Sequence, residues 1–173
     1  EITKLSTVNG LSEIGISCIS ANKSQNALLV AYKSSNMDII KNSEIINISS
    51  ILNSSIIGDK TIYNLYSHGK YIYACTGFGI VVIDIEKEEI KDTYIIGTSN
   101  SQLKVKDIHI SNDTIYALTE NKIKYAALNN GFLSNSSVWS SHSLPNGSDI
   151  DQLESFGDDF FAFGSPKLVF QYS

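Results

Sequence analysis

Four stretches of this chain lie over one another: "LLVAYKSSNMDIIKN" (28–42), "YIYACTGFGIVVIDI" (71–85), "TIYALTENKIKYAAL" (114–128) and "DFFAFGSPKLVFQYS" (159–173). Ala31, Ala74, Ala117 and Ala162 set the register, at separations of 43, 43 and 45 residues. A period of that size marks a repeat architecture. Two positions before each alanine stand Leu29, Ile72, Ile115 and Phe160; six after it stand Met37, Ile80, Ile123 and Leu168; eight after it stand Ile39, Val82, Tyr125 and Phe170. The spacing is the two-residue period of strands. Upstream, Leu65, Ile108 and Leu153 precede the alanine by nine residues, with Ile62, Val105 and Ile150 three earlier. In the first copy, Ile16 and Ile19 fill these places if "NKSQ" carries a three-residue insertion.

Each unit therefore reads as three strands joined by tight turns, followed by a more variable fourth. In the second unit the expected strands are 62–67, 71–76, 80–85 and 90–96. His68-Gly69-Lys70, Ser111-Asn112-Asp113 and Gly157-Asp158-Asp159 supply turn chemistry between first and second strands. Glu86-Lys87-Glu88-Glu89 is too short for a helix and reads as a connecting turn. Four antiparallel strands per unit, repeated four times, define an all-β β-propeller of four-stranded blades. Four units are few for a closed ring, so the expectation is one partial propeller domain over 1–173, a segment of a larger propeller. Its blades are expected at about 14–49, 61–97, 104–144 and 149–173, with residues 1–6 as an extra outer strand. The last unit ends after its third strand, at Tyr172-Ser173.

Thr76-Gly77-Phe78-Gly79 is the one stretch that could pass for a phosphate loop. Its counterparts, Lys33-Ser34-Ser35-Asn36, Thr119-Glu120-Asn121-Lys122 and Gly164-Ser165-Pro166-Lys167, share no glycine pattern, and a strand follows where a phosphate loop needs a helix. The glycines are read as turning a hairpin. The small alanine of each second strand is expected to let neighbouring sheets approach closely, with Tyr73, Tyr116 and Phe161 filling the gap to the next blade.

Composition narrows function. Net charge is −5 and all 13 basic residues are lysine. Without a single guanidinium fork, nucleic-acid recognition is not expected. No apolar run approaches the ~20 residues of a membrane-spanning helix. Cys18 and Cys75 lie in separate strand-like runs with no metal spacing and are read as buried free thiols. His68, His109 and His142 are scattered over a turn, a first strand and an outer segment, and suggest no metal site. Asp149, Asp151, Asp158 and Asp159 are read as turn formers rather than a glycosidase pair, and Ser12 and Ser17 lack a nucleophile elbow. The Asn-x-Ser/Thr triplets at Asn22, Asn47, Asn53, Asn112, Asn135 and Asn146 are taken as chance matches. No catalytic, cofactor-binding or metal residue is therefore assigned, and no cofactor is expected. Binding is the favoured role, with ligand residues unknown. The candidate rim gathers 34–36, 77–79, 120–122 and 165–167 with the links 49–61 and 97–104, and polar loops with an aromatic such as Phe78 suit a glycan or a protein.

"VNGLSEIGISCIS" (8–20), "ACTGFGIVVIDIEKEEIKDTYIIG" (74–97) and "NDTIYALTENKIKYAALNN" (112–130) resemble the N-terminal propeller of PorZ-type proteins from Bacteroidetes. Tyr73-Ala74-Cys75-Thr76 and Tyr116-Ala117-Leu118-Thr119 also resemble the two-component-regulator propeller repeat of sensor ectodomains. The first and last units lack the threonine. The resemblance implies a noncatalytic, exported protein, periplasmic or at the cell surface, in the type IX secretion attachment complex. Implied partners are the rest of the same protein, secretion or signalling proteins, and glycan or lipopolysaccharide. A ligand-sensing propeller of a hybrid two-component system is the alternative, and a propeller glycan hydrolase a more distant one. No family ligand motif falls on particular residues here.

Overall fold

The computed structural model describes residues 4–145, 149–156, 159–165 and 168–172. Strands β1 (Ile16–Asn22), β2 (Ala27–Tyr32), β3 (Met37–Lys41) and β4 (Glu44–Ile48) form the first antiparallel sheet. The second holds β5 (Ile62–His68), β6 (Tyr71–Thr76), β7 (Gly79–Asp84) and β8 (Glu89–Tyr94). The third holds β9 (Asp107–Ser111), β10 (Thr114–Leu118), β11 (Lys122–Ala127) and β12 (Ser140–Ser143). Among the described residues the fourth is three-stranded, with β13 (Asp149–Phe156), β14 (Asp159–Ser165) and β15 (Leu168–Tyr172). Residues 4–6 of the segment expected to add an outer strand have no strand structure, and 1–3 lie outside the described residues.

The first strand of each sheet is innermost: β1 packs beside β5, β5 beside β9 and β9 beside β13. The sheets stand around a common axis as blades, a partial propeller. Three apolar seams hold them. Leu29, Met37 and Ile39 of the first sheet meet Ile72, Ala74 and Ile83 of the second; Tyr73, Ile80 and Val82 of the second meet Ile108, Ile115 and Ala117 of the third; Leu118 and Ile123 of the third meet Leu153, Phe160 and Ala162 of the fourth. Strand alternation sends neighbouring residues to opposite seams, which is why Tyr73 and Ala74 serve different ones. Ala31, Ala74, Ala117 and Ala162 have no exposed surface. Each fully buried Ile, Leu or Phe contributes about 1.5–3 kcal/mol, so neighbouring blades stabilise one another.

The turns follow the sequence chemistry. Gly69 adopts φ +57°, and Asn112 and Asp113 adopt +47° and +54°, the left-handed pair of a tight hairpin. Thr76 Oγ1 donates to Gly79 O at 2.8 Å and accepts from Gly79 N, closing the hairpin; Thr119 does the same with Lys122. Gly79 has φ +148°, and a Cβ there would lie 2.2 Å from Tyr94 O, while one at Gly77 would lie 2.4 Å from Asp59 O. Close backbone approach explains this glycine pair.

The first unit departs from the sequence alignment by one residue. Ile16 and Ile19 do occupy the places of Ile62 and Leu65: a bulge separates Ile16 from Cys18 as it does Ile62 from Asn64. The residue opposite Ile19 is Val30, however, whereas Ala74 lies opposite Leu65. Val30 takes the position of the alanine, and Ala31 corresponds to Cys75. The three extra residues are divided, two in the β1–β2 turn and one in the β2–β3 loop, where Ala31 pairs with Met37 while Cys75 pairs with Ile80. One step along a strand reverses the face, so Ala31 turns to the second sheet; Ile16 and Ile19 keep the face of Ile62 and Leu65, which in the first sheet has no preceding blade among the described residues, and are 47% and 58% exposed. The β14–β15 loop also carries an extra residue, and Val169 rather than Leu168 pairs with Phe163.

Residues 11–15 strap the outward face of the first sheet. Ser12 donates its N–H and Oγ to Asp38 at 2.7 and 2.6 Å, Lys33 N–H bonds Gly15 O, and Asn36 Nδ2 bonds Glu13. Asp38, fully buried, also accepts from the Tyr32 hydroxyl and from Asn47 Nδ2. Burial raises the Asp38 pKa, but the bonds from Asn47, Ser12 and Tyr32 outweigh it and leave the carboxyl below its ordinary value.

Candidate binding groove on the propeller axis

Innermost strands β5, β9 and β13 place side chains of equivalent position next to one another around the axis. Asn64, Asp107 and Gln152 form one such layer, pairing with Cys75, Leu118 and Phe163; Tyr66, His109 and Glu154 form the next, pairing with Tyr73, Tyr116 and Phe161. Between the strands lies a cleft of about 190 Å³ lined by Asn64, Asp107 and Gln152 of the first layer, by Tyr66 and Glu154 of the second, and by Ile108, Leu153 and Phe163, with His109 outside the lining.

Asp107 ties three blades together. It accepts from Asn64 Nδ2 at 2.6 Å, from Leu153 N–H at 2.8 Å and from Ile108 N–H at 2.8 Å. Burial raises its pKa above the ordinary carboxylate value despite these bonds. With every bond directed inside the protein, this carboxylate positions strands. Glu154 is exposed and among the described contacts accepts only a long 3.3 Å bond from Ser155 N–H.

His109 is 5% exposed, and its Nε2 has no hydrogen-bond partner among the described residues. Its ring lies 5.6 Å from both Tyr66, edge-on, and Phe160. Burial lowers its pKa, opposed by the charges of Glu154 and Asp107, so the imidazole is neutral at pH 7. Tyr66 is half-buried, its hydroxyl donating to Ile110 O at 3.4 Å.

The other sequence candidates disperse. His68 and His142 are exposed, and His142 stacks on Tyr125 at 4.7 Å. Among the described residues no group of three or more His, Cys, Asp or Glu could hold a metal ion. Cys18 and Cys75 are free, and burial raises both thiols. Asp149 and Asp151 bind Lys106 Nζ at 2.9 and 3.0 Å, joining the third and fourth blades; Asp158 lies outside the described residues. Asn22 is buried and donates to Gly69 O, Asn47 supports Asp38, and Asn135 caps the single-turn helix Ser136–Val138. Their roles are structural.

The rim is less open than its sequence implies. Phe78, expected as a ligand-facing aromatic, has no exposed surface and packs in the seam between the first two blades. Ser35 and Asn36 are buried too; of the described hairpins, 120–122 stands free. Residues 166–167 of the last loop lie outside the described residues. The axial groove, by contrast, is invisible to a sequence reading, because its members recur at the repeat spacing yet differ chemically from blade to blade.

Sheets arranged in this way make the protein a β-propeller whose innermost strands offer a polar groove. Residues 1–140 match the family model for the N-terminal β-propeller domain of PorZ of the type IX secretion system, and the chain belongs to that family. The structure of PorZ from Porphyromonas gingivalis, described as an essential bacterial surface component of the type IX secretion system, is similar at 25% identity with a TM-score of 0.84, over 98% of this chain and 22% of PorZ. The chain thus spans about a fifth of that relative. The extracellular domain of a hybrid two-component system from B. thetaiotaomicron (15% identity, TM-score 0.68, 93% of this chain and 23% of that one) shares the fold. So does the WD40 propeller of Doa1 (19%, 0.66, 91% and 50%). No curated protein sequence matches significantly. Among the described residues no helix is long and apolar enough to cross a membrane.

Proposed function

We propose that this chain is a noncatalytic binding and assembly module of an exported Bacteroidetes protein, working as PorZ does in type IX secretion and the surface attachment of cargo. The observation that carries this reading is the PorZ propeller match over residues 1–140, joined to agreement in fold over 98% of the chain. The carboxylate chemistry of the groove supports a binding role: Asp107 spends its oxygens on holding strands, which leaves Glu154 without a free acidic partner for acid–base work. In this reading 1–173 is one partial propeller domain with blades at about 14–49, 61–97, 104–144 and 149–173. Its partners are the remainder of the same protein and components of the secretion machinery. Deleting the domain from the full-length protein tests this. Cargo attachment at the cell surface is expected to fail, and normal attachment with the truncated protein expressed at wild-type level refutes the reading.

The likeness to a two-component extracellular propeller favours a second reading, a periplasmic sensor of oligosaccharides. Transcriptional response to an oligosaccharide, abolished by the same deletion while cargo attachment is normal, would establish it instead.

A further inference from the structure

We propose that the axial groove receives the side chain of a lysine presented by a partner polypeptide. The inference rests on the reading of the domain as a binding module and names the chemistry of its site.

The lining fits that side chain at both ends. Ile108, Leu153, Tyr66 and Phe163 contribute apolar and aromatic surface for a four-carbon stem. Asp107, Glu154, Gln152 and Asn64 contribute the polar surface, and no lysine is among the lining residues. Asp107 is already fixed by three donors, so the group left to meet a ligand is the Glu154 carboxylate beside the Gln152 amide. Behind the groove wall, His109 of β9 is buried against Tyr66, with Nε2 lacking a partner among the described residues. With the imidazole neutral and no lysine in the lining, the two carboxylates have no counter-charge in the groove among the described residues. A ligand ammonium supplies that charge together with hydrogen-bond donors, and an aromatic face adds cation–π attraction. A cleft of about 190 Å³ accommodates one such side chain and is small for an oligosaccharide.

The test is calorimetric titration of the full-length protein with three probes: Nα-acetyl-lysine methylamide, its norleucine counterpart, which keeps the stem and lacks the ammonium, and glucosamine. The lysine probe is expected to bind in roughly the millimolar range and the norleucine probe not to bind. Glu154→Gln should weaken the lysine probe about tenfold, as for a lost hydrogen bond to a charged group, with thermal unfolding unchanged. Glu89→Gln, exposed on the outer strand β8 and away from the groove, should leave binding intact. Equal binding of norleucine, equal or tighter binding of glucosamine, unchanged affinity in Glu154→Gln, or no binding of the lysine probe each overturns the proposal. Cargo attachment is scored separately in Glu154→Gln and in the domain deletion. A failed titration with defective attachment in the deletion removes the lysine site alone, whereas lysine binding with normal attachment removes the secretion role alone.

Discussion

Phe78 distinguishes a packed hairpin from a ligand-facing rim. Its ring has no exposed surface and belongs to the seam that joins the first two blades. Phe78→Ala should cost about 3–5 kcal/mol, the range for deleting a buried aromatic and leaving a cavity. In a domain of this size 1 kcal/mol moves the melting temperature by about 2–4 °C, so the expected fall is roughly 6–20 °C. Phe156 is the control: it is 82% exposed, and Phe156→Ala should change stability by no more than about 0.5 kcal/mol. Urea unfolding can be followed by circular dichroism and by fluorescence of Trp139, which packs in the neighbouring seam between the second and third blades. A loss below about 1 kcal/mol for Phe78→Ala would refute the seam assignment and return Phe78 to the rim.

Ala74→Leu inserts a branched side chain into that same seam and should cost about 1–3 kcal/mol by overpacking; an unchanged urea midpoint would contradict the close sheet approach at Ala74. Asp107→Ala strands the N–H of Leu153 and the amide of Asn64 beside the groove, with an expected loss of about 1–3 kcal/mol in the same measurement. The strap over the first sheet should loosen in acid. Because the folded Asp38 pKa lies below its unfolded value near 3.8, the contribution of Asp38 is present above that value and is lost as pH falls through the folded one. Hydrogen exchange at Ser12 N–H should accelerate below about pH 4, and an exchange rate that follows only the chemical pH dependence would argue against the Ser12–Asp38 bonds.

Strand positions, turn positions and the repeat itself were legible in the amino-acid order, because alternation of apolar residues and the left-handed preference of Gly69, Asn112 and Asp113 act over neighbouring residues. The strands expected at 62–67 and 71–76 form as Ile62–His68 and Tyr71–Thr76. Three things had to wait for the folded molecule. The first unit's register depended on how three extra residues divide between two loops, and with a period of two a shift of one residue carries Ala31 from the outward face of the first sheet to the seam with the second. The burial of Phe78 depended on the neighbouring blade closing over a hairpin that looks polar in isolation. The groove depended on distances between β5, β9 and β13, strands about 43 residues apart in sequence, where no local rule says that Tyr66, Asp107 and Glu154 will share one space. Local propensity determined what each blade is; contact between blades decided which faces are buried and where a ligand can enter.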